Sequence, residues 1–516
     1  MSVVESALPG VTALVNTGQV SRPIQRQPTS TSFVVGTADW GPVMRPTIVT
    51  GLLDFIRKFG GFNSNSWLAP AAKVYFDFYG GTNMIVSRVV GASAAVGTKT
   101  LMDRTAVTPV ATIRVDAKYP SSKVDISVAV EAGSLANTCK LIFKSAYLNI
   151  TETFDNFKVT VSASEQEAIN AGLSALSSIQ LISQRSRLVD LTNLASATAA
   201  PNNLPAISAA SALAGGSDDF AGVNAAVYEL GLAAFQDEHL GTGQVSIPGI
   251  SSAHAALIAH AQSYERVALL DPALGLDVDE IIAVSEATLS SHRGLYYPYV
   301  QMRDLAGGNL LKFYPPSIIA AGECAKADRT IGTHKAPANL GLVPLALDVE
   351  RNADGTPLFN DNMREVLNRK RVNVIAPLPG EGIKVYGARV GYPDGDLRVQ
   401  FVHERRMLCL ISHSVKKGYA WAPFSVVDGQ GRLFRDLVTT GKNFLRPFWR
   451  AGALFGANEE EAFLVKCDRD NNPDEELATG LVKVQIGVKL SPTAERILIL
   501  VDNVPLGQDL SVLNGQ

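Results

Sequence analysis

The sequence predicts an α/β and α+β multidomain chain: a discontinuous core, a β-rich inserted module, a doubly wound-type α/β domain and extended arms at both termini. Three observations lead there. Between residues 218 and about 345, strand-like and helix-like patterns alternate, the mark of a sheet covered by helices. Between 99 and 217 the texture shifts to Ser, Thr and Ala with period-two runs. Near the start, Val11, Ala13 and Val15 alternate as a strand, yet "NTGQVSRPIQRQPTST" after them holds Gly18, Pro23 and Pro28 and offers no hairpin partner. A lone strand leaves its backbone donors and acceptors unpaired unless it joins a sheet elsewhere. A chain of 516 residues is also long enough for about three domains.

Each element follows in order. "TSFVVGTADWGPVMRPTIVT" reads as strand, turn and strand, and "GLLDFIRKFGG" as a short amphipathic helix stopped by Gly60 and Gly61. "APAAKVYFDFYGG" keeps helical spacing up to Gly80 and Gly81, and "TNMIVSRVV" is an apolar strand. "ATIRVDA", "VDISVAV" and "NFKVTVS" are the alternating runs of the module, and "LASATAAPNNLPAISAASALAGGSDD" reads as the linker that ends it. "GQVSIPG", "SSAHAALIAHAQSY", "RVALLDP", "DVDEIIAVSEATLSSH" and "RGLYYPYVQM" are β, α, β, α and β. The last third holds strands around "RVNVIAPLPGEGIKVYGARV", then two helices, then the strands "EEAFLVKCD", "LVKVQIGVKL" and "RILILVD". The divisions expected are an arm (1–21), a first core part (22–98), the inserted module (99–217), the α/β domain (218–365), a C-terminal domain (366–501) and a tail (502–516).

Composition narrows the function. Hydrophobic residues at 46% and charged residues at 18% exclude a disordered chain, and a net charge of -3 gives no reason to expect nucleic acid. Apolar runs such as "ILILV" stop far short of the ~18 residues a membrane span needs, so no membrane insertion is expected. "MSVVESALPG" lacks a basic start and an apolar centre, so the chain is expected to stay in the cytoplasm where it is made. Cys139, Cys324, Cys409 and Cys467 stand far apart, which suits buried thiols.

No catalytic, cofactor or metal residue emerges. "GTGQVSIPG" precedes a strand and "DGQGRLF" lacks the third glycine of a phosphate loop, and no GxxxxGK[ST] occurs. "HERRM" at 403–407 puts Met407 where a zinc helix needs its second histidine and reads as a surface helix. His254 and His260 are about 240° apart on a helix and do not converge on one ion. No GxSxG elbow exists either. An α/β enzyme with an unrecognised site, or a self-assembling structural protein such as a tube component, remains as an alternative.

Several separate blocks, in order, resemble the contractile tail sheath proteins of bacteriophages and related injection systems. They are "SRPIQRQPTSTSFVVGTADWGPVMRPTIVTGLLDFIRKFGG", "YFDFYGGTNMIVSRVV", "HKAPANLGL", "VNVIAPLPGEGIKVYGAR", "FLRPFWRAGALFGANEEEAFLVKCD" and "VQIGVKLSPTAERILILV". The resemblance spans roughly residues 9 to 502 and is weakest in the module. It implies a structural subunit, not an enzyme. Such subunits polymerise as hexameric rings stacked in a helical sheath around an inner tail tube protein, bounded by baseplate and tail terminator proteins. The place implied is a virion tail or injection-system particle assembled in the bacterial cytoplasm. Contraction, without a nucleotide, drives the tube through a target envelope. It also implies that terminal strands are exchanged between subunits, with Val11, Ala13, Val15, Ile497, Ile499 and Val501 as candidates, and that the module faces outward.

The C-terminal region is split in charge. Residues 364–450 hold 16 Lys and Arg against 7 Asp and Glu, whereas 451–516 hold 5 against 11. On a helical wheel Arg432, Arg435, Lys442, Arg446 and Arg450 fall within about 80°, opposite Leu433, Phe434, Leu437, Phe444, Leu445 and Phe448, with Gly441 and Pro447 as kink points. A solvated face is the plain reading of such a ridge. The family's C-terminal domain lies beside the inner tube. The resemblance therefore makes the ridge a contact for acidic groups on the tube or on a neighbour, including Glu459, Glu460 and Glu461.

Overall fold

A computed structural model describes residues 23–159, 178–393 and 398–495. These form two compact units: residues 27–413, and residues 23–26 together with 414–495. Both candidate exchange strands, Val11 to Val15 and Ile497 to Val501, lie outside the described residues.

The larger unit is organised by one eight-stranded sheet. From edge to edge its order is Gly382–Val385, Val372–Leu378, Arg293–Tyr297, Val267–Leu270, Gln244–Ser246, Ser32–Gly36, Met84–Arg88 and Thr47–Val49. The six inner strands are parallel and each edge strand is antiparallel to its neighbour. Parallel sheets are covered on both faces, which is why these strands read as unbroken apolar runs; all four residues of Val267–Leu270 are buried. Val267 and Leu269 enter one core with Ile318, Ile319 and Ile375. Ala268 and Leu270 enter the other with Leu257, Ile281 and Val374. Helix Val278–Ala287 starts on a capping box, in which Asp277 accepts from the Glu280 backbone and Glu280 from that of Asp277.

The sheet departs from the sequence divisions. Val372–Leu378, expected in a separate C-terminal domain, pairs with Arg293–Tyr297, and the strands of 22–98 continue the same sheet. Hydrophobic period identifies a parallel strand but not its partner, which sits across a crossover of many residues. The two units meet along the chain within helix Val402–Gly418, well beyond residue 366.

Residues 98–212 add two antiparallel sheets, Thr98–Met102 with Ala111–Ala117 and Val189–Asn193, and Ser208–Ala212 with Ser127–Ala132, Cys139–Ser145 and Ile150–Phe157. They share a core that includes Ile113, Val115, Val128, Leu141, Phe143 and Leu188. The stretch read as a linker thus contributes a strand, Ser208–Ala212. Its residues are Ser and Ala on an exposed edge, so no apolar alternation marked it.

One buried ion pair ties the module to the sheet. Arg88 ends Met84–Arg88, and its guanidinium donates to the carbonyls of Ala38, Gly41 and Pro120 and to Asp218 Oδ1 at 2.6 Å. Asp218 Oδ2 accepts from the Ser122 amide and hydroxyl. Both side chains are at most 1% exposed. Burial pulls Arg88 down to about 10, against the opposing charge of Asp218, so the guanidinium keeps its proton.

Asp218→Ala leaves that charge buried without its partner and is expected to cost about 3–5 kcal/mol in guanidinium denaturation. A loss under about 1 kcal/mol contradicts this account of the junction.

A second buried carboxylate sits where strand Val267–Leu270 ends. Asp271 accepts from the Ser317 amide at 2.6 Å, the Ser317 hydroxyl at 2.5 Å and the Gly249 amide at 2.9 Å. Burial pushes its carboxyl up to about 6, although these three hydrogen bonds pull it down. With a folded value above the unfolded one near 4, its stabilising contribution is complete below about pH 4 and disappears as pH rises through about 6. The stability of the wild type relative to Asp271→Asn therefore falls between about pH 4 and pH 6, as read from urea curves at stepped pH. A pH-independent difference contradicts it.

Candidate functional site

The residues that invite an enzymatic reading are scattered and occupied. No group of three or more His, Cys, Asp or Glu among the described residues is arranged to hold a metal ion. His254 Nε2 lies 2.8 Å from the Asp271 carbonyl, whereas His260 Nε2 lies 2.8 Å from Arg266 Nη1. The "HERRM" segment corrects the surface-helix expectation: it lies in Val402–Gly418 with His403, Arg406 and Met407 buried. Burial, then the charge of Arg406, pulls His403 down to about 3. Arg406 reaches Asp328 at 2.6 Å, so this segment is part of a core, where charged residues need a partner. The cysteines are all buried and unpaired.

The surface of the smaller unit has a different character. Helix Arg432–Arg450 runs unbroken through Gly441 and Pro447, the two expected kink points. Gly441 is needed for close packing, because a Cβ there would stand 2.6 Å from Tyr419 Oη. Its apolar face buries Leu433, Phe434, Leu437, Phe444, Leu445 and Phe448, as the wheel requires. After it come short helix Glu459–Ala462, strand Phe463–Lys466, short helix Asp474–Ala478 and strand Gln485–Val488.

The two strands pair antiparallel, Phe463 opposite Val488 through Lys466 opposite Gln485, and a bridge between Leu454 and Leu490 prolongs them. Among the described residues no third strand joins this sheet. A two-stranded sheet is marginal by itself and its outer edges offer unpaired backbone groups. Leu464 is 52% exposed on it. Sequence periodicity finds both strands; what it does not carry is that, among the described residues, they pair only with each other.

The basic ridge divides into two kinds of residue. Arg432, Arg435, Lys442 and Arg450 are exposed. Arg432 lies 3.3 Å from Asp428, and Arg435 donates to the Gln430 carbonyl at 3.1 Å. Arg446 is half-buried and grips Glu459 with two bonds, at 2.5 and 3.1 Å, which raises the arginine and lowers the carboxyl. Glu461 is occupied in a turn, accepting from the Ala457 amide and from Asn458 Nδ2. Glu460 is exposed. Of the eight charged candidates, the structure thus brings together Arg446 and Glu459 inside one subunit.

Comparison with known proteins adds the following. No family model matches the chain. The tail sheath protein of Burkholderia phage BcepMu is 27% identical over 297 residues, which is 54% of this chain and 60% of that relative. The contracted sheath complex of an extracellular contractile injection system, PVC, superimposes with a TM-score of 0.56 at 15% identity, covering 99% of this chain and 100% of that one. A sheath tail protein from Listeria innocua gives 0.59 at 14% identity over 87% and 90% of the two chains. At such identities the structural likeness establishes a common fold.

The division within the ridge is testable on the isolated subunit. Arg446→Glu sets a second carboxylate against Glu459 and should lower the melting temperature, more at low salt than at high salt. Arg435→Glu, Lys442→Glu and Arg450→Glu together should leave it within about 2 °C. Equal effects from both variants would refute the division.

Proposed function

We propose that the chain is a contractile tail sheath protein that polymerises as six-fold rings stacked in a helical sheath around an inner tube; its likeness to a phage tail sheath protein and to solved sheath folds supports this reading. The sheath contracts and drives the tube through a target cell envelope, and baseplate and terminator proteins bound it. The observation that carries the assembly reading is the sheet of Phe463–Lys466 and Gln485–Val488, which has no third strand among the described residues. Strand addition meets that need, since backbone hydrogen bonds at a net ~0.5–1.5 kcal/mol each give a five-residue strand a few kcal/mol.

The strand around Val11 to Val15 fills this role from a neighbouring subunit, and Ile497 to Val501 is the second candidate. Contraction then draws on the free-energy difference between two packings of rigid units whose arms stay linked. The α/β domain acts as a doubly wound-type rigid body and the inserted module faces outward. Of the basic ridge, Arg435, Lys442 and Arg450 face the tube or a neighbour; Arg446 is committed to Glu459. Exposed ion pairs are weak and screened by salt, so such a contact breaks readily during contraction. No helix among the described residues is long and apolar enough to cross a membrane.

Purified protein at high concentration should form long striated tubes under negative stain, whereas a chain lacking Met1 to Gln19 should still fold, with a cooperative melting transition, and form none. Tubes of normal length from the shortened chain would sink the strand-exchange reading. Closed shells or single rings from the intact chain would sink the sheath reading.

A further inference from the structure

Beside helix Arg432–Arg450 the smaller unit holds a groove of about 810 Å³, within the range of ligand-sized clefts. One wall is the start of the described chain, Pro23 and Ile24. Across from it stand Trp421, Val426, Leu433 and Phe444. The wall is firmly set: Ile24 is 8% exposed and packs so closely on Gly418 that a Cβ there would lie 2.4 Å from Ile24 Cγ1. The opposite rim is mixed: Val426 is 83% exposed on it, and Ser425, Asp428, Arg432 and Asp436 line the same groove. Exposed apolar residues along a cleft mark a surface that takes a partner.

The occupant follows from where the chain continues. Residues 1–22 precede Pro23 in the chain, and within them 9–19, "PGVTALVNTGQ", carries no charge. Val15 lies eight Cα steps before Pro23, a reach of up to ~26 Å, against ~28 Å for the 19 residues of the helix that floors the groove. We propose that in the unassembled subunit this groove holds residues 9–19 of the same chain, so the exchange strand is sheltered until a neighbour's open sheet takes it. A tethered segment acts at an effective concentration of about millimolar, roughly a thousandfold above subunits at micromolar concentration, so the cis complex dominates before assembly. Thr440 and Asn443 on the groove offer hydrogen bonds to the segment's backbone. The inference rests on the proposed exchange of Val11 to Val15 and adds its regulation.

The test uses the full chain at low micromolar concentration, carrying Ala13→Cys with Asn443→Cys and exposed to a mild oxidant; the four native cysteines are buried. The expected product is a disulfide within one chain, formed at least tenfold faster than with Ala13→Cys and Glu475→Cys. An excess of the peptide 9–19, or Val426→Asp on the exposed rim, should each lower that rate at least fivefold. Equal rates for the two cysteine pairs, indifference to the peptide, or disulfides only between chains would overturn the proposal. Tube formation by the wild type is scored separately. Tubes without the cis disulfide refute the sheltering alone, and the cis disulfide without tubes refutes the assembly reading alone.

Discussion

A guanidinium with no access to water sets the geometry of the larger unit. Arg88 stands at the end of the strand Met84–Arg88, where the chain leaves the main sheet for the inserted module, and Asp218 stands where it returns. The arginine's other donors reach the carbonyls of Ala38 and Gly41 on the sheet side and Pro120 on the module side. A buried pair of this kind adds little net stability against an apolar replacement, because desolvation offsets most of the attraction. Its strength is geometric. Only one placement of the module satisfies every donor, and any other leaves a charge stranded in a low-dielectric interior.

The parallel sheet explains which parts of this architecture a reader of the sequence can find. Runs such as Val267–Leu270 and Val372–Leu378 are visible because both faces are covered. Their pairing is not, since Val372–Leu378 joins Arg293–Tyr297 after an excursion through a small three-stranded sheet and two helices. Two misreadings have the same kind of cause. Ser208–Ala212 was hidden because an exposed edge strand of Ala and Ser has no hydrophobic signature. The "HERRM" helix reads as surface because it is rich in charge, yet Arg406 is buried against Asp328, a residue far away in sequence. Charge predicts exposure only where no partner waits inside.

In the smaller unit the legible part was the helix Arg432–Arg450, whose apolar and basic faces follow directly from a 3.6-residue period. What the wheel cannot separate is an arginine clasped by a carboxylate from one that is not. Arg446 differs from Arg435 and Arg450 only because the chain turns at Asn458, which caps Glu459–Ala462, and carries Glu459 back to the helix. That no third strand among the described residues joins the two-stranded sheet is equally beyond periodicity. A strand pattern records which residues favour extended backbone, whereas the number of partners is a property of the whole arrangement.

Under the proposed function, the same sheet and groove frame the energetic problem of a chain that must stay unassembled at first and yet polymerise. An apolar strand whose backbone groups are unpaired promotes aggregation by edge pairing with any available sheet. Polar substitution would remove that hazard and the link with it. A groove at the root of the arm resolves the conflict without altering the strand, because side-chain burial in the groove competes with backbone pairing at a neighbour's edge. The two states then differ by only a few kcal/mol per subunit. A single link loses that competition at micromolar concentration. A lattice wins it decisively, since each added subunit forms several links at once and the second is closed at the effective concentration set by the first. On this account the modest strength of each exchanged strand confines polymerisation to growing ends.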